Sequence, residues 1–152
     1  MTLAAIAARA VLVLAPTLSQ GRADELGQAV AHAVERAHDR LPFEGPGRRE
    51  ASAALLVAVA WHESTFRREV ETCRVTGPAG ELGLWQLGHG PACPSLEASA
   101  RQALVRLAFS RSAGLEPMLA VYRGASRAPE RLATLERVAL ALGLELEGTW
   151  AR

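Results

Sequence analysis

The chain has 152 residues, 49% of them hydrophobic, with a formal charge of +1. That length suits one domain burying about two-thirds of its unfolded surface, and the apolar content argues against disorder. The near-zero charge gives no electrostatic case for nucleic acid, which calls for a basic face with interleaved aromatics. Lys and Asn are absent, a codon bias without functional content, and aromatics are only 5%, so Trp61, Trp85, Tyr122 and Trp150 stand out.

Residues 1 to 23 read two ways. Arg9, the apolar run Ala10 to Leu18 and small residues up to Ala23 fit a signal peptide loosely. The same residues fit a first core helix, Leu3 to Ala15, capped by Thr2. No apolar run reaches the roughly eighteen residues needed to span a membrane.

Helical periodicity dominates the rest of the chain. Leu26, Val30, Ala33, Val34 and Ala37 form one stripe of a helix ending near Arg40, and "LPFEGPG" makes a loop. From Arg48, "RREASAALLVAVAWHES" is apolar on every side between Ala51 and Trp61, which predicts a buried helix. Ser95 caps a helix with stripe Ala100, Leu104, Leu107 and Ala108, closed by Gly114. Pro117 fits the first turn of a short helix carrying "MLAVY". Ser126 caps and Pro129 starts a last helix with Leu132, Leu135, Ala139 and Leu142 on one face and Gly143 at its end. Only residues 73 to 90 lack the period, and their glycines suit a tight hairpin or an irregular lobe. The expected fold is mainly α in a single domain, 1 to 152, with this glycine-rich hairpin lobe beside a cleft.

A carboxylate placed where the buried helix ends is unusual. Glu63 follows Val59 by four residues and precedes Phe66 by three, so apolar neighbours should desolvate it and favour its protonated form, as the negative pole of the helix also would. A carboxyl that holds its proton near neutral pH is what a general acid needs, and glycoside hydrolysis is where that need is most familiar.

"HESTF", "GELGLWQL" and "AVYRGA" resemble the three signatures of the lytic transglycosylases of the lysozyme-like superfamily, goose-type lysozymes included, in their order and spacing over roughly residues 50 to 127. The resemblance implies a lysozyme-like helical fold and makes Glu63 the catalytic acid, with Ser64 orienting the carboxyl or the substrate. Leu84, Trp85 and Gln86 would wall the glycan cleft, Trp85 standing where the family has Met and open to stacking on a sugar, Gln86 bonding an acetamido or hydroxyl group. Tyr122 matches the family tyrosine near the catalytic carboxyl. Arg123 departs from the family Asn, and Gly124 arrives one residue early.

The implied reaction cleaves the β-1,4 bond between N-acetylmuramic acid and N-acetylglucosamine, giving a 1,6-anhydro product. A hydrolase would need a water, usually held by a second carboxylate, and Glu69, Glu71 and Glu81 carry no motif for that role. The implied partner is the peptidoglycan glycan strand, met by a monomer without cofactor or metal in the periplasm or outside the cell. A hydrolytic lysozyme with the same Glu63, a binding or structural module without chemistry, and an unrelated helical interaction protein are the alternatives.

Cys73 and Cys93 bracket the glycine-rich lobe. In an oxidising compartment they can pair; the alternatives are two buried thiols or a zinc site with His89, which lacks a CxxC pair.

Overall fold

Short polar caps and apolar stripes translate directly into helices. The computed structural model describes residues 1–38, 40–88, 90–110, 114–120 and 127–146. Along them run α1 (Leu3–Leu14), α2 (Gln20–Arg36), α3 (Arg48–Ser64), α4 (Arg68–Glu71), α5 (Leu96–Phe109), α6 (Leu115–Ala120) and α7 (Ala128–Leu142). The architecture is mainly helical, and among the described residues there is no strand.

Thr2 caps α1, its hydroxyl accepting from Ala5 N at 3.2 Å, and Ser95 caps α5 in the same way at 3.2 Å. Ser19 does the same for α2, taking the Arg22 N–H at 3.3 Å. In the fold α1 is a core helix: Ala7, Ala10 and Val11 are fully buried, and it packs on α2, α3 and α7. A cut after Ala23 would fall inside α2. Close approach of α1 and α2 depends on Gly27, where a Cβ would come within 2.5 Å of Ala4 O and 2.8 Å of Ala8 N.

The central element is α3. Every residue from Ala51 to Ala60 is buried, with α1, α2, α5 and α7 around it. This is the all-round burial that its uniformly apolar sequence demands. It ends abruptly: Thr65 and Phe66 both adopt left-handed backbone angles, φ +49° and +57°. For residues with a Cβ that conformation costs about 1–2 kcal/mol each. The turn is held by Thr65 N–H on Trp61 O at 2.8 Å and by the Trp61 and Phe66 rings, 5.5 Å apart.

Two boundaries differ from the sequence reading, and the lobe takes the irregular of its two expected forms. α5 stops at Phe109 with Ser110 as its cap, while Gly114, at φ +94°, precedes α6 instead of closing α5. Arg127 occupies the position before α7, without a side-chain cap bond, and Pro129 lies in its first turn; Ser126 lies outside the described residues. The glycine-rich lobe is irregular, not a hairpin, with one isolated bridge between Leu82 and Gly88. Its backbone bonds include Leu82 N to Gly88 O within that bridge and the turn bonds Gly77 N to Glu81 O and Gln86 N to Gly83 O, and among the described residues they build no ladder.

A disulfide ties down the lobe. Cys73 and Cys93 form a disulfide with Cα atoms 5.8 Å apart, closing a span of 20 residues. With both cysteines bridged, neither is available to a metal; His89 lies outside the described residues. A disulfide is compatible with an extracellular or periplasmic protein. Among the described residues no helix is long and apolar enough to cross a membrane. A Cys73→Ser, Cys93→Ser variant should lose about 3 kcal/mol of unfolding free energy on the chain-entropy account. Urea titration of that variant beside the oxidised protein reads the difference directly, and equal midpoints would mean that the bridge contributes nothing.

A charged lattice ties α2 to α4, the short helix that precedes the lobe. Arg22, at the start of α2, pairs with both Glu25 and Glu71, and Arg68 pairs with the same two carboxylates at 3.0 and 3.4 Å. The Arg22 guanidinium holds the Glu25 carboxyl below its ordinary pKa, with Arg68 adding to it against the opposing effect of burial.

Candidate functional site

Glu63 lies one residue from the end of α3. Its side chain is 2% exposed, and Oε1 accepts a hydrogen bond at 2.6 Å from Nη2 of Arg131 on α7, whose side chain is 3% exposed. The surroundings are therefore not purely apolar, as the sequence suggested. A guanidinium from a distant helix reaches the carboxylate.

Arg131 belongs to the buried stripe of α7 with Ala128, Leu135, Val138 and Ala139. Two of its donors, Nε and Nη1, are buried without a hydrogen-bond partner among the described residues. Buried donors are nearly always paired, so this guanidinium carries a desolvation cost that the Glu63 contact offsets only in part.

His62 adds a third polar group to the seam between α3 and α7. Thr134 donates its hydroxyl proton to Glu130 O at 2.9 Å, so the 2.7 Å contact with His62 is a bond from imidazole Nε2–H to Thr134 Oγ1. Burial holds the imidazole below its usual pKa, and the Arg131 cation acts in the same direction. The unfolded chain takes up a proton near pH 6.5 that the fold resists, so stability falls as pH drops below about 6.5. Replacing His62 by Gln should flatten that dependence in urea midpoints measured between about pH 7 and pH 5; an unchanged slope would assign it to other groups.

The remaining residues of the proposed site occupy different surroundings. The Ser64 hydroxyl is 3% exposed, donates to Ala60 O at 2.7 Å and accepts from Phe66 N at 3.3 Å. It stabilises the strained end of α3 and does not touch the carboxyl. Leu84 and Trp85 are buried at 0% and 1%, and the Trp85 indole N–H donates to Leu56 O in the middle of α3 at 2.9 Å. With no face of the ring open to solvent, Trp85 is a plug of the core and offers no stacking surface in this structure.

Gln86, 8% exposed at φ +51°, donates from Nε2 to Gly83 O at 2.8 Å, closing its own turn. That turn needs Gly83, whose φ is +75° and where a Cβ would come within 2.7 Å of the Ser99 hydroxyl on α5. Through Trp85 the turn rests on α3 seven residues before Glu63, about 10 Å along the helix axis. Tyr122, Arg123 and Gly124 lie outside the described residues. The structure thus brings Glu63 together with Arg131 and His62, and brings the "GLWQ" turn onto the same helix two turns away.

The three candidate second carboxylates are each engaged with other groups. Glu71 pairs with Arg22 and Arg68, Glu69 lies 3.8 Å from Arg67, and Glu81 accepts from Ala79 N at 2.9 Å. Among the described residues no group of three His, Cys, Asp or Glu side chains is placed to hold a metal ion.

Arg131 is the residue that reading the sequence motif by motif misses. Its signal is in the periodicity: it stands four residues before Leu135 and seven before Val138, on the apolar face of α7. A lone charge on such a face predicts a buried partner of opposite sign, and the one acidic residue at the end of the buried helix is Glu63.

Comparison with protein families, with characterised proteins and with solved structures finds no match for this chain.

Proposed function

We propose that the chain is a peptidoglycan-cleaving lytic transglycosylase acting on the β-1,4 bond between N-acetylmuramic acid and N-acetylglucosamine. The observation that carries the reading is Glu63: a buried carboxylate at the end of a helix buried on all sides, against a strained two-residue turn, held at 2.6 Å by a buried Arg131. Strained backbone clusters at functional sites, and the "HESTF", "GELGLWQL" and "AVYRGA" segments resemble the signatures of that family.

In the proposed reaction substrate entry displaces Arg131, the freed Glu63 carboxylate takes up a proton from solvent, and the resulting acid gives that proton to the glycosidic oxygen as the C1–O bond breaks. Positive charge develops at C1 of the muramoyl residue, the Glu63 carboxylate then takes the proton of the C6 hydroxyl, and O6 closes onto C1. One carboxyl group serves both steps because the nucleophile is in the substrate. The engagement of Glu69, Glu71 and Glu81 in other bonds supports this route over a hydrolase, which would call on one of them to hold water.

A second reading has specific support. The Glu63 side chain is 2% exposed, the Ser64 hydroxyl is used by the backbone, and Trp85 faces inward, which together favour a module that keeps the scaffold without the chemistry. Mass spectrometry of purified peptidoglycan after incubation with the protein separates the possibilities. Anhydro-muropeptides are the expected product. Reducing ends would make the protein a lysozyme, and no release at all would put the non-catalytic module ahead of the enzyme.

A further inference from the structure

The C-terminal end of α2 and the outer face of α5 enclose a cleft of about 460 Å³ whose lining includes Arg36, Arg40, Arg101 and Val105. It is distinct from the Glu63 seam. Arg22 and Glu25, at the start of α2, are tied to α4 just beyond the end of α3, and Arg36 lies about 20 Å further along α2.

The charges in this cleft are unevenly matched. Arg36 is neutralised by Glu97, Nη1 to Oε1 at 3.0 Å, and His32 approaches the same carboxylate at 3.7 Å. Arg40 and Arg101 make no ion pair or side-chain hydrogen bond among the described residues, and both are exposed. The C-terminus of α2 favours cations near it, but that effect fades within a turn and does not extend to Arg101 in the second turn of α5. A chain of net charge +1 thus gathers on one concave surface two guanidinium groups that are unpaired among the described residues.

Apolar surface continues the cleft along α5. Val105 is 49% exposed and Phe109, one turn further, is 87% exposed. Large apolar groups left in water beside a charged pocket suit a ligand with an anionic head and an apolar body.

We propose that this cleft binds a phosphate monoester, its phosphoryl oxygens on Arg40 and Arg101 and its organic part along Val105 and Phe109. The charge decides the class. A monoester carries about −1.5 to −2 at neutral pH with three terminal oxygens, matching two guanidinium forks, whereas a carboxylate carries one charge and occupies a single fork. The proposal does not depend on the glycan reading, and its test uses no enzymatic activity.

Isothermal titration at low salt with phenyl phosphate as probe, beside inorganic phosphate and benzoate, provides the test. Phenyl phosphate should bind saturably, more tightly than either of the other two. The double variant Arg40→Ala, Arg101→Ala should weaken it at least about ten-fold, with an unchanged circular dichroism spectrum because both side chains are exposed. Arg9→Ala, an exposed cation on α1, should leave it unchanged. Saturable binding that survives in the double variant, or no saturable binding of phenyl phosphate to the wild type, overturns the site. Benzoate binding as tightly as phenyl phosphate overturns the phosphoryl assignment, and inorganic phosphate doing so overturns the role of Val105 and Phe109.

Discussion

Removing either partner of the Glu63–Arg131 pair should destabilise the fold by about 3–5 kcal/mol, and removing both should recover most of that loss. Three variants measure it: Arg131→Met, Glu63→Leu, and the two together. The single changes are not expected to be equal. Glu63→Leu leaves a buried guanidinium whose Nε and Nη1 already lack partners among the described residues, and takes away the acceptor of Nη2 as well. Arg131→Met leaves a carboxylate, which can regain a neutral form by taking up a proton. The order of stability should therefore be Glu63→Leu lowest, Arg131→Met next, and the double variant above both, because it buries two apolar side chains where two charges stood. Urea unfolding of the four proteins gives the coupling energy directly. If the losses simply add, the pair contributes nothing as a pair, and the charge in the α7 stripe must be explained otherwise.

The helical framework was legible in the sequence wherever a single periodicity decided the outcome. The uniformly apolar run from Ala51 to Ala60 meant burial on every side, and Thr2 and Ser95 announced the first turns of α1 and α5. What was not legible required knowing which element faces which. Trp85 looks the same in the sequence whether it lies against a sugar or against Leu56, and only the packing of its turn on α3 directs it inward. The Ser64 hydroxyl is claimed by Ala60 O and Phe66 N because the helix ends in a left-handed turn, a backbone feature that no residue near it requires. Gly114 failed as the end of α5 because Ser110 already caps that helix. The Cys73–Cys93 bridge was one of three open readings, since spacing alone does not distinguish a disulfide from free thiols or a metal site. The pairing across α3 and α7 was half written, in the position of Arg131, but its partner sits 68 residues away.

Glu63→Gln should reduce peptidoglycan cleavage by about 10²- to 10⁴-fold, the share that a positioned acid or base contributes to such a step. Glutamine is the informative replacement because its carbonyl oxygen can still accept from Arg131 Nη2, so the contact with α7 survives in a neutral form while the transferable proton is lost. The circular dichroism spectrum should match that of the wild type even where the unfolding midpoint drops. Glu63→Asp tests positioning: the carboxyl remains, withdrawn by one methylene, and a misplacement of about 1 Å is enough to cost about 10²-fold. Loss in both variants, with anhydro products from the wild type alone, supports Glu63 as the group that moves the proton. Undiminished cleavage by Glu63→Gln would remove it from that role. A third pattern discriminates further. Should Arg131→Met retain cleavage that Glu63→Gln loses, the guanidinium restrains the carboxyl without taking part in the chemistry. Should Arg131→Met lose cleavage to the same extent, with its fold intact, the two residues act as a unit, and the buried pair belongs to the reaction as well as to the core.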